Sequence, residues 1–546
     1  MTTDYDIIIK NGSIADGSGG KIFKADIGIE GESITRVGSD QKARGELEID
    51  ATGLIVSPGF IDMHSHSDTS ALIYKDSESK IKQGVTTEVV GNCGISMAPI
   101  APETIELLKQ AMESDFSGVN QLLDWDWKNM SDYFAKVEKM GNTINFAPLV
   151  GHHTLRVAVM GFENREPTDS ELNKMKSLVE GEMKAGFFGM STGLVYPPGG
   201  FAKTDEIISL AKVVSKNGGI YASHLRSEGK TVLNAASEAI EIGRKAKLPV
   251  EISHIKVMGK PNWDMDTAYV SLIENARKDG MDVSADVYPY TAGQTFLWSV
   301  FPPWAQEGGL LKSLARLDDP GVKEKIRKDL AESGRIDWQN WVEDAGWDGI
   351  VLPEFKGKSI AQLSKEYGID PFEALCRVLK ERQGQASMIV HAMREESFVK
   401  FLSMPSTTIG TDQNGITPGK GPFGGLQHPR AYGTFPRILG RYVREKGVIS
   451  LEEAIKKMTG LSASKMKIEQ RGLIKPGYFA DIVIFDKDRI TDTATFENPL
   501  SFPVGITHVI VNGKLTVKNG QLTGKHNGRV LRRSQSSTSR SSRLPG

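Results

Sequence analysis

Two histidines separated by one residue, in the string GFIDMHSHSD, have the clearest chemical meaning in this sequence. They close an apolar run from Leu54 to Ile61 that is typical of a buried strand. Alternate side chains of an extended strand lie on one side, so His64 and His66 would face the same ion. Such a pair is weak support for a metal site by itself, because many histidines simply pack in a core or lie on a surface.

Four more possible ligands follow, each near the carboxyl end of a strand-like run. The runs are β-branched or apolar, lie between turn signals, and end at Cys93, His224, His254 and Asp412. In a parallel α/β barrel the carboxyl ends of the strands share one face, where catalytic groups collect. Taken singly, Cys93 could be an ordinary buried thiol and Asp412 a turn or helix cap. Together, six such positions in order predict one metal site.

The strand-like runs alternate with amphipathic segments, which is the pattern of a (β/α)8 barrel. We expect barrel strands near residues 56–63, 85–92, 145–150, 187–191, 220–223, 249–253, 282–287 and 407–411. The chain ends instead alternate short β runs with Gly-containing turns, and neither end has enough strands for a core of its own.

An insertion at about residues 295–400 separates the seventh and eighth predicted strands and is long enough to form a cap over the barrel mouth. Its aromatic residues could line a pocket or could equally pack the insertion onto the barrel; they are Phe296, Trp298, Phe301 and Trp304.

Composition excludes several classes of protein. The sequence has 67 basic and 68 acidic residues, so its charge gives no reason to expect nucleic acid or an anionic membrane as a partner. Its two cysteines imply no disulfide framework. No apolar run approaches the ~20 residues that span a bilayer, and no basic region opens the chain, so we expect a cytoplasmic protein. The Ser/Arg-rich residues 534–546 predict a disordered tail.

Several longer strings resemble the N-acyl-D-amino-acid deacylases, or D-aminoacylases, of the amidohydrolase superfamily. They include KQGVTTEVVGNCGIS, GLVYPPGGFAKTDE, SHLRSEG, EISHIK, DVYPYTAG and HPRAYGTFPR. The resemblance implies an α/β fold in which residues 61–467 form a metal-dependent TIM barrel. It further implies a small β-sandwich domain built from residues 1–60 and 468–533, and hydrolysis of N-acyl-D-amino acids to a carboxylate and a free D-amino acid.

One departure from the wider superfamily concerns the metal bridge. Hydantoinases and dihydroorotases usually bridge two ions with a carboxylated lysine on the fourth strand, and the corresponding run here, GFFGMSTG, has no lysine. D-aminoacylases use a cysteine of the second strand instead, which implies that Cys93 is a thiolate ligand of zinc. The resemblance implies one tightly bound zinc ion at Cys93, His224 and His254. His64 and His66 would complete a second, weaker ion site or stabilise the oxyanion.

The resemblance also assigns roles around the metal. Asp412 would take the proton of the attacking water and deliver it to the departing amine. Lys256 and Tyr288 match positions that contact substrate in the family. Arg226 and Arg430 are further candidates for holding the substrate carboxylate, although a structural salt bridge is an equal alternative for each arginine.

Some questions stay open at this stage. Gln294 stands where the family often has a small polar residue, which leaves the side-chain preference undecided, and the oligomeric state cannot be inferred. His152 and His153 are expected to be structural. The alternative functions are another amidohydrolase activity, such as that of an N-acyl-D-glutamate deacylase, a D-dipeptidase or a cyclic-amide hydrolase, and an inactive scaffold on the same fold. The presence of all six ligands disfavours the scaffold.

Overall fold

The computed structural model describes residues 4–39, 42–115, 118, 120–332, 338–419 and 427–534. The predicted disordered tail therefore lies outside the described residues, apart from Ser534. None of the helices in these ranges combines the length and the apolar character that a membrane-spanning helix needs.

A parallel barrel forms the centre of the molecule. In the described ranges its eight strands are Phe60–Asp62, Val85–Val90, Asn145–Gly151, Gly189–Gly193, Ile220–His224, Val250–Ile252, Val283–Val287 and Thr407–Ile409. Each strand pairs in parallel with the next one along the chain. The amide of Met63 donates to the carbonyl of Ile409 at 3.0 Å, which joins the first strand to the eighth. The predicted (β/α)8 barrel is confirmed.

The first predicted strand is divided at Gly59. Ile55–Pro58 pairs with Ile482–Phe485 in a separate sheet, whereas Phe60–Asp62 belongs to the barrel. A Cβ atom on Gly59 would lie 2.1 Å from Thr86 Oγ1, so only glycine lets the chain pass this close. The prediction of one continuous strand near 56–63 was wrong, and His64 and His66 lie in the loop beyond the strand.

Both chain ends contribute to one sheet. Among the described residues its nine strands are Tyr5–Ile14, Phe23–Glu30, Ser33–Gly38, Gly45–Asp50, Ile55–Pro58, Ile482–Phe485, Ile506–Val511, Lys514–Lys518 and Gln521–Leu522. Its core is rich in isoleucine, with Ile27 and Ile34 from the first end and Ile482 and Ile510 from the second. The core of this sheet is therefore shared by the two ends of the chain.

The insertion forms a small antiparallel sheet beside the barrel mouth. The strands described there are Gly293–Phe296, Ile350–Leu352, Lys358–Ser359 and Ser387–Val390. Of the four aromatic residues noted above, Phe296 lines the large cavity at the mouth, whereas Trp298 and Phe301 are buried in the main core. Trp304 packs against that core from its edge.

Amphipathic helices cover the outside of the barrel. On Thr204–Lys216 the buried Ile207, Leu210 and Val214 repeat with helical spacing and face the strands. The α-helices of the described residues are Glu78–Ile81, Ile105–Asp115, Met130–Met140, His152–Met160, Asp169–Lys184, Thr204–Lys216, Val232–Ala246, Asp266–Lys278, Pro303–Gln306, Leu310–Ala315, Pro320–Ala331, Trp341–Gly349, Ile360–Tyr367, Pro371–Glu381, Glu395–Ser403, Arg430–Arg437, Leu451–Met458 and Gly460–Met466.

Candidate active site

Three predicted ligands, which we call the cysteine–histidine group, meet at the barrel mouth: Cys93, His224 and His254. Cys93 Sγ lies 3.5 Å from His224 Nδ1 and 3.4 Å from His254 Nε2, and all three side chains are buried. Ligand atoms around a tetrahedral zinc ion with bonds of ~2.0–2.3 Å lie roughly 3.3–3.8 Å apart. The spacing and chemistry of these atoms therefore fit a metal ion.

The other predicted ligands form a second group with the same cysteine, which we call the histidine-pair group: His64, His66, Cys93 and Asp412. Their potential ligand atoms all lie within 4.8 Å of one another. His64 Nε2 is 3.2 Å from Cys93 Sγ, and His66 Nε2 is 3.2 Å from Asp412 Oδ1. The fold thus brings all six positions together, with Cys93 between the two groups.

The surroundings of Cys93 favour a thiolate. Burial by itself raises the pKa of the thiol, but the neighbouring His64 and His254 and the hydrogen bonds from His224 and His254 lower that pKa well below its usual range. A thiolate surrounded by imidazoles is a donor set that suits zinc.

Three of the predicted ligands have a left-handed backbone. The angle φ is 51° at Cys93, 36° at His254 and 53° at Asp412. A side chain other than glycine costs about 1–3 kcal/mol in such a conformation, and residues of this kind concentrate at functional sites. The surrounding structure fixes these turns: the amide of His254, for example, donates to Asp286 Oδ1 at 2.9 Å.

A buried ion cluster beneath the histidine pair joins the first and eighth strands. Lys80 Nζ donates to Asp62 Oδ2 at 2.7 Å, to Thr411 Oγ1 at 2.6 Å and to the carbonyl of Gln413 at 2.8 Å. Glu88 lies 2.9 Å from the same ammonium. The cluster holds the loop that carries His64 against the loop that carries Asp412. The sequence analysis did not identify Lys80, because nothing in its local pattern marks a buried lysine.

Asp412 is held as a carboxylate. Its Oδ2 accepts a hydrogen bond from Arg430 Nη1 at 2.7 Å. Burial raises the pKa of Asp412, but Arg430 and His254 lower that pKa well below its usual range. The Oδ1 atom, which contacts His66, is the one that faces the histidine pair.

A cavity of about 420 Å³ opens from the metal ligands towards the insertion sheet. Three predicted substrate contacts line it: Lys256, Tyr288 and Arg430. Within the described part of the chain, the Tyr288 hydroxyl and Arg430 Nε are buried without a hydrogen-bond partner. The Arg430 guanidinium lies 4.6 Å from the centre of the Tyr288 ring. Unpaired donors and cations at the end of a cavity suit a carboxylate.

Arg226 lies elsewhere. Its guanidinium donates to Glu238 Oε1 at 2.9 Å and to the carbonyls of Gly200 and Ala202. It is absent from the lining of the large cavity, as far as the described residues define that lining. The sequence analysis left open a structural salt bridge as the role of Arg226. The structure agrees with that role, because Glu238 and two backbone carbonyls accept the hydrogen bonds of the guanidinium.

His152 and His153 lie outside both ligand groups. His152 Nε2 lies 2.8 Å from Glu206 Oε1, and Arg156 binds the other oxygen of that carboxylate. Burial, together with His152 and Arg156, lowers the pKa of His153 to about 3. The two histidines are core residues at the start of the helix after the third strand, in agreement with the structural role expected for them.

Glu228 is a site residue that the sequence analysis missed. It is 3% exposed, lines the cavity, and accepts a hydrogen bond from Lys256 Nζ at 2.6 Å. It follows His224 by four residues in the string SHLRSEG, but a carboxylate in a loop carries no sequence signal of burial.

A (β/α)8 barrel that brings cysteine, histidine and aspartate side chains of metal-ligand type together at the carboxyl ends of its strands is typical of a metal-dependent class of barrel proteins. The sequence pattern of the amidohydrolase family matches residues 47–328 and 407–517. The chain therefore belongs to the amidohydrolase family.

Individual proteins are similar over almost the whole chain. A D-aminoacylase of Alcaligenes xylosoxydans xylosoxydans is 37% identical, covering 97% of this chain and 98% of its own. The crystal structure of an N-acyl-D-glutamate deacylase from Bordetella bronchiseptica, complexed with zinc and a phosphonate inhibitor that mimics the tetrahedral intermediate, is 31% identical with a TM-score of 0.80. It covers 97% of this chain and 99% of its own. A solved D-aminoacylase, described by the role of its binuclear metal centre, is 36% identical with a TM-score of 0.79, at 97% and 100% coverage.

Proposed function

We propose that this protein is a zinc-dependent hydrolase of N-acyl-D-amino acids, which releases a carboxylate and a free D-amino acid. The observation that carries the proposal is the meeting of the cysteine–histidine group, Asp412 and a set of cationic and hydroxyl donors at one cavity. The relatives named D-aminoacylase and N-acyl-D-glutamate deacylase, similar over nearly their full length, support it.

The substrate carboxylate would be bound by Lys256, Tyr288 and Arg430. Two donors there, the Tyr288 hydroxyl and Arg430 Nε, are unpartnered among the described residues, so a bound carboxylate would satisfy buried groups. A volume of about 420 Å³ lies within the range of small-molecule sites. With the carboxylate fixed there, the scissile amide would lie towards Cys93 and Asp412, which border the same cavity.

Cys93, His224 and His254 would hold one zinc ion, and His64 and His66 with Asp412 a second, weaker one. Zinc, when bound, supplies Lewis acidity that polarises an amide carbonyl and acidifies water to a pKa of about 7. Asp412 would accept the proton of the attacking water at Oδ1, since Oδ2 is held by Arg430. It would then pass this proton to the nitrogen of the departing amine, which cannot leave as an anion at neutral pH.

Ring opening of cyclic amides is disfavoured as the activity. The fourth barrel strand, Gly189–Gly193, reads GMSTG and offers no lysine for carboxylation. Cys93, which contacts both ligand groups, would be the bridging ligand instead.

The test compares hydrolysis of N-acetyl-D-methionine and N-acetyl-L-methionine by the zinc-loaded protein, with N-acetyl-D-glutamate and dihydroorotate in the same panel. We expect an acetylated D-amino acid to be cleaved at least about a hundredfold faster than its L form. A pocket that fixes the carboxylate, the side chain and the scissile carbonyl at once can place the carbonyl of only one enantiomer correctly. Faster cleavage of the L form, or opening of dihydroorotate with no deacylation, would overturn the proposal.

A further inference from the structure

We propose that the side chains of Ile95, Tyr196 and Phe296, here called the apolar wall, form the subsite for the acyl group of the substrate and select an acyl chain longer than acetyl. The inference rests on the proposed function, because it takes the substrate to be an N-acyl amino acid whose carboxylate lies at Lys256 and Arg430. It adds which part of such a substrate the apolar wall binds.

The apolar wall borders one side of the cysteine–histidine group. Ile95 follows Cys93 by two residues in the same loop. The Tyr196 ring packs edge-on against the His224 ring, with 4.9 Å between the ring centres. The centre of the Phe296 ring lies 4.8 Å from that of the Tyr196 ring. All three side chains of the wall are buried and line the large cavity, so they place apolar surface beside the metal ligands.

The apolar wall is held in place from behind. Thr295 Oγ1 donates to the Tyr196 hydroxyl at 2.9 Å, which ties the loop after the fourth barrel strand to the insertion sheet. The Phe296 ring stacks on Trp298, which is buried in the main core, with 5.5 Å between the ring centres. Side chains that are already fixed lose little conformational entropy when an apolar group packs on them. The wall is therefore a preformed surface.

The other sides of the ligand groups carry cations. Lys256 Nζ lies 2.7 Å from His254 Nδ1. Arg430 Nη1 lies 2.7 Å from Asp412 Oδ2. The centre of the Tyr288 ring is 5.8 Å from the Lys256 ammonium and 4.6 Å from the Arg430 guanidinium. The cavity is therefore cationic on one side of the metal ligands and apolar on the side of the wall.

This separation of charge from apolar surface matches the shape of an N-acyl amino acid. A secondary amide is planar and trans, so the acyl chain and the Cα atom leave the C–N bond on opposite sides. The carboxylate and the amino-acid side chain are both attached to Cα and lie on its side of that bond. With the carboxylate at the cations and the amide carbonyl at the metal ligands, the acyl chain points to the apolar wall.

The extent of the wall indicates an acyl chain longer than acetyl. An acetyl group has one methyl to place against three apolar side chains, two of which are aromatic rings. Each further methylene that is removed from water contributes roughly fourfold to binding. A butyryl chain has two more methylenes than an acetyl chain, so we expect its kcat/KM to be about tenfold higher.

The experiment measures kcat/KM of the zinc-loaded, full-length protein for N-acetyl- and N-butyryl-D-methionine and for the same two acyl derivatives of D-alanine. The acyl ratio compares butyryl with acetyl on one amino acid, and the side-chain ratio compares methionine with alanine under one acyl group. In the wild type we expect an acyl ratio of about ten.

Substitutions within the wall and outside it separate the two ratios. Phe296→Ala should bring the acyl ratio to about one and leave the side-chain ratio unchanged, and Ile95→Ala should lower the acyl ratio in part. Tyr196→Phe keeps the ring and should keep the acyl ratio. Val390→Ala is the matched control, because Val390 is buried, lines the same cavity and pairs with Gly293, three residues before Phe296. Thermal melting shows whether each variant is folded.

An acyl ratio near one in the wild type would overturn the proposal. So would a folded Phe296→Ala that changes the side-chain ratio and keeps the acyl ratio, because the wall would then bind the amino-acid side chain.

Calorimetric binding of acetate and butyrate to the zinc-loaded protein separates this proposal from the proposed function. If no acylated D-amino acid is hydrolysed, tighter binding of butyrate by the wild type but not by Phe296→Ala supports the apolar subsite, and only the substrate assignment falls. Equal binding of the two carboxylates in that case would remove both.

Discussion

The two ligand groups share Cys93 but differ in what surrounds them. All members of the cysteine–histidine group are buried, and His254 Nδ1 lies 2.7 Å from Lys256 Nζ and 3.1 Å from Glu228 Oε1. In the histidine-pair group, His66 and Asp412 are only partly buried and hydrogen-bond each other, while Arg430 neutralises Asp412. An ion would replace contacts within either group, but in the second group it would also share Asp412 with Arg430.

The difference teaches that ligand type and number do not set affinity by themselves. A group of buried ligand atoms that are already close together needs little reorganisation when an ion binds. Asp412, which keeps an Arg430 contact on one oxygen, is better placed to exchange protons than to hold an ion tightly. We therefore expect the cysteine–histidine group to bind metal more strongly, and three substitutions test that ranking.

The largest effect is expected for Cys93→Ala, because Cys93 belongs to both groups. The variant should lose nearly all zinc after dialysis and nearly all activity, as elemental analysis and a hydrolysis assay would measure. Cys376→Ala is the control, since Cys376 is the other buried cysteine and lies in the helix Pro371–Glu381. Undiminished zinc in folded Cys93→Ala would refute the assignment of both groups.

Asp412→Asn separates the proton-transfer role from metal binding. The amide keeps the size and the hydrogen bonding but cannot carry the proton, so turnover should fall about a hundredfold or more. Zinc at the cysteine–histidine group should remain. Asp492→Asn serves as the control, because Asp492 pairs with Arg437 away from the cavity-lining residues of the described chain. Near-normal turnover in Asp412→Asn would remove Asp412 from the reaction.

The smallest effect is expected for His66→Ala. Its loss should weaken only the second ion, so a zinc titration should still show one tight site per chain. His224→Ala, measured in parallel, should abolish that tight site. Equal losses in the two variants would contradict the ranking of the groups.

The sequence alone predicted the barrel and the six candidate ligands that the fold brings together. Strand-like runs ending in His64, Cys93, His224, His254 and Asp412 located the site, because parallel strands bring their carboxyl ends to one face whatever the detailed packing. Strand-like runs, including three that end in no candidate ligand, located seven of the barrel strands within a few residues. The first strand was misjudged, because an apolar run gives no sign that it changes sheet at Gly59.

Only the tertiary structure decided which charged residues support the site. Glu228 and Lys80 are buried charges whose partners come from distant parts of the chain, and Arg226 turns to Glu238 instead of the cavity. The local sequence around a charged side chain does not show whether that side chain is solvated or buried. Its role depends on which neighbours desolvate and pair it, and those neighbours are set by packing between elements rather than by local pattern.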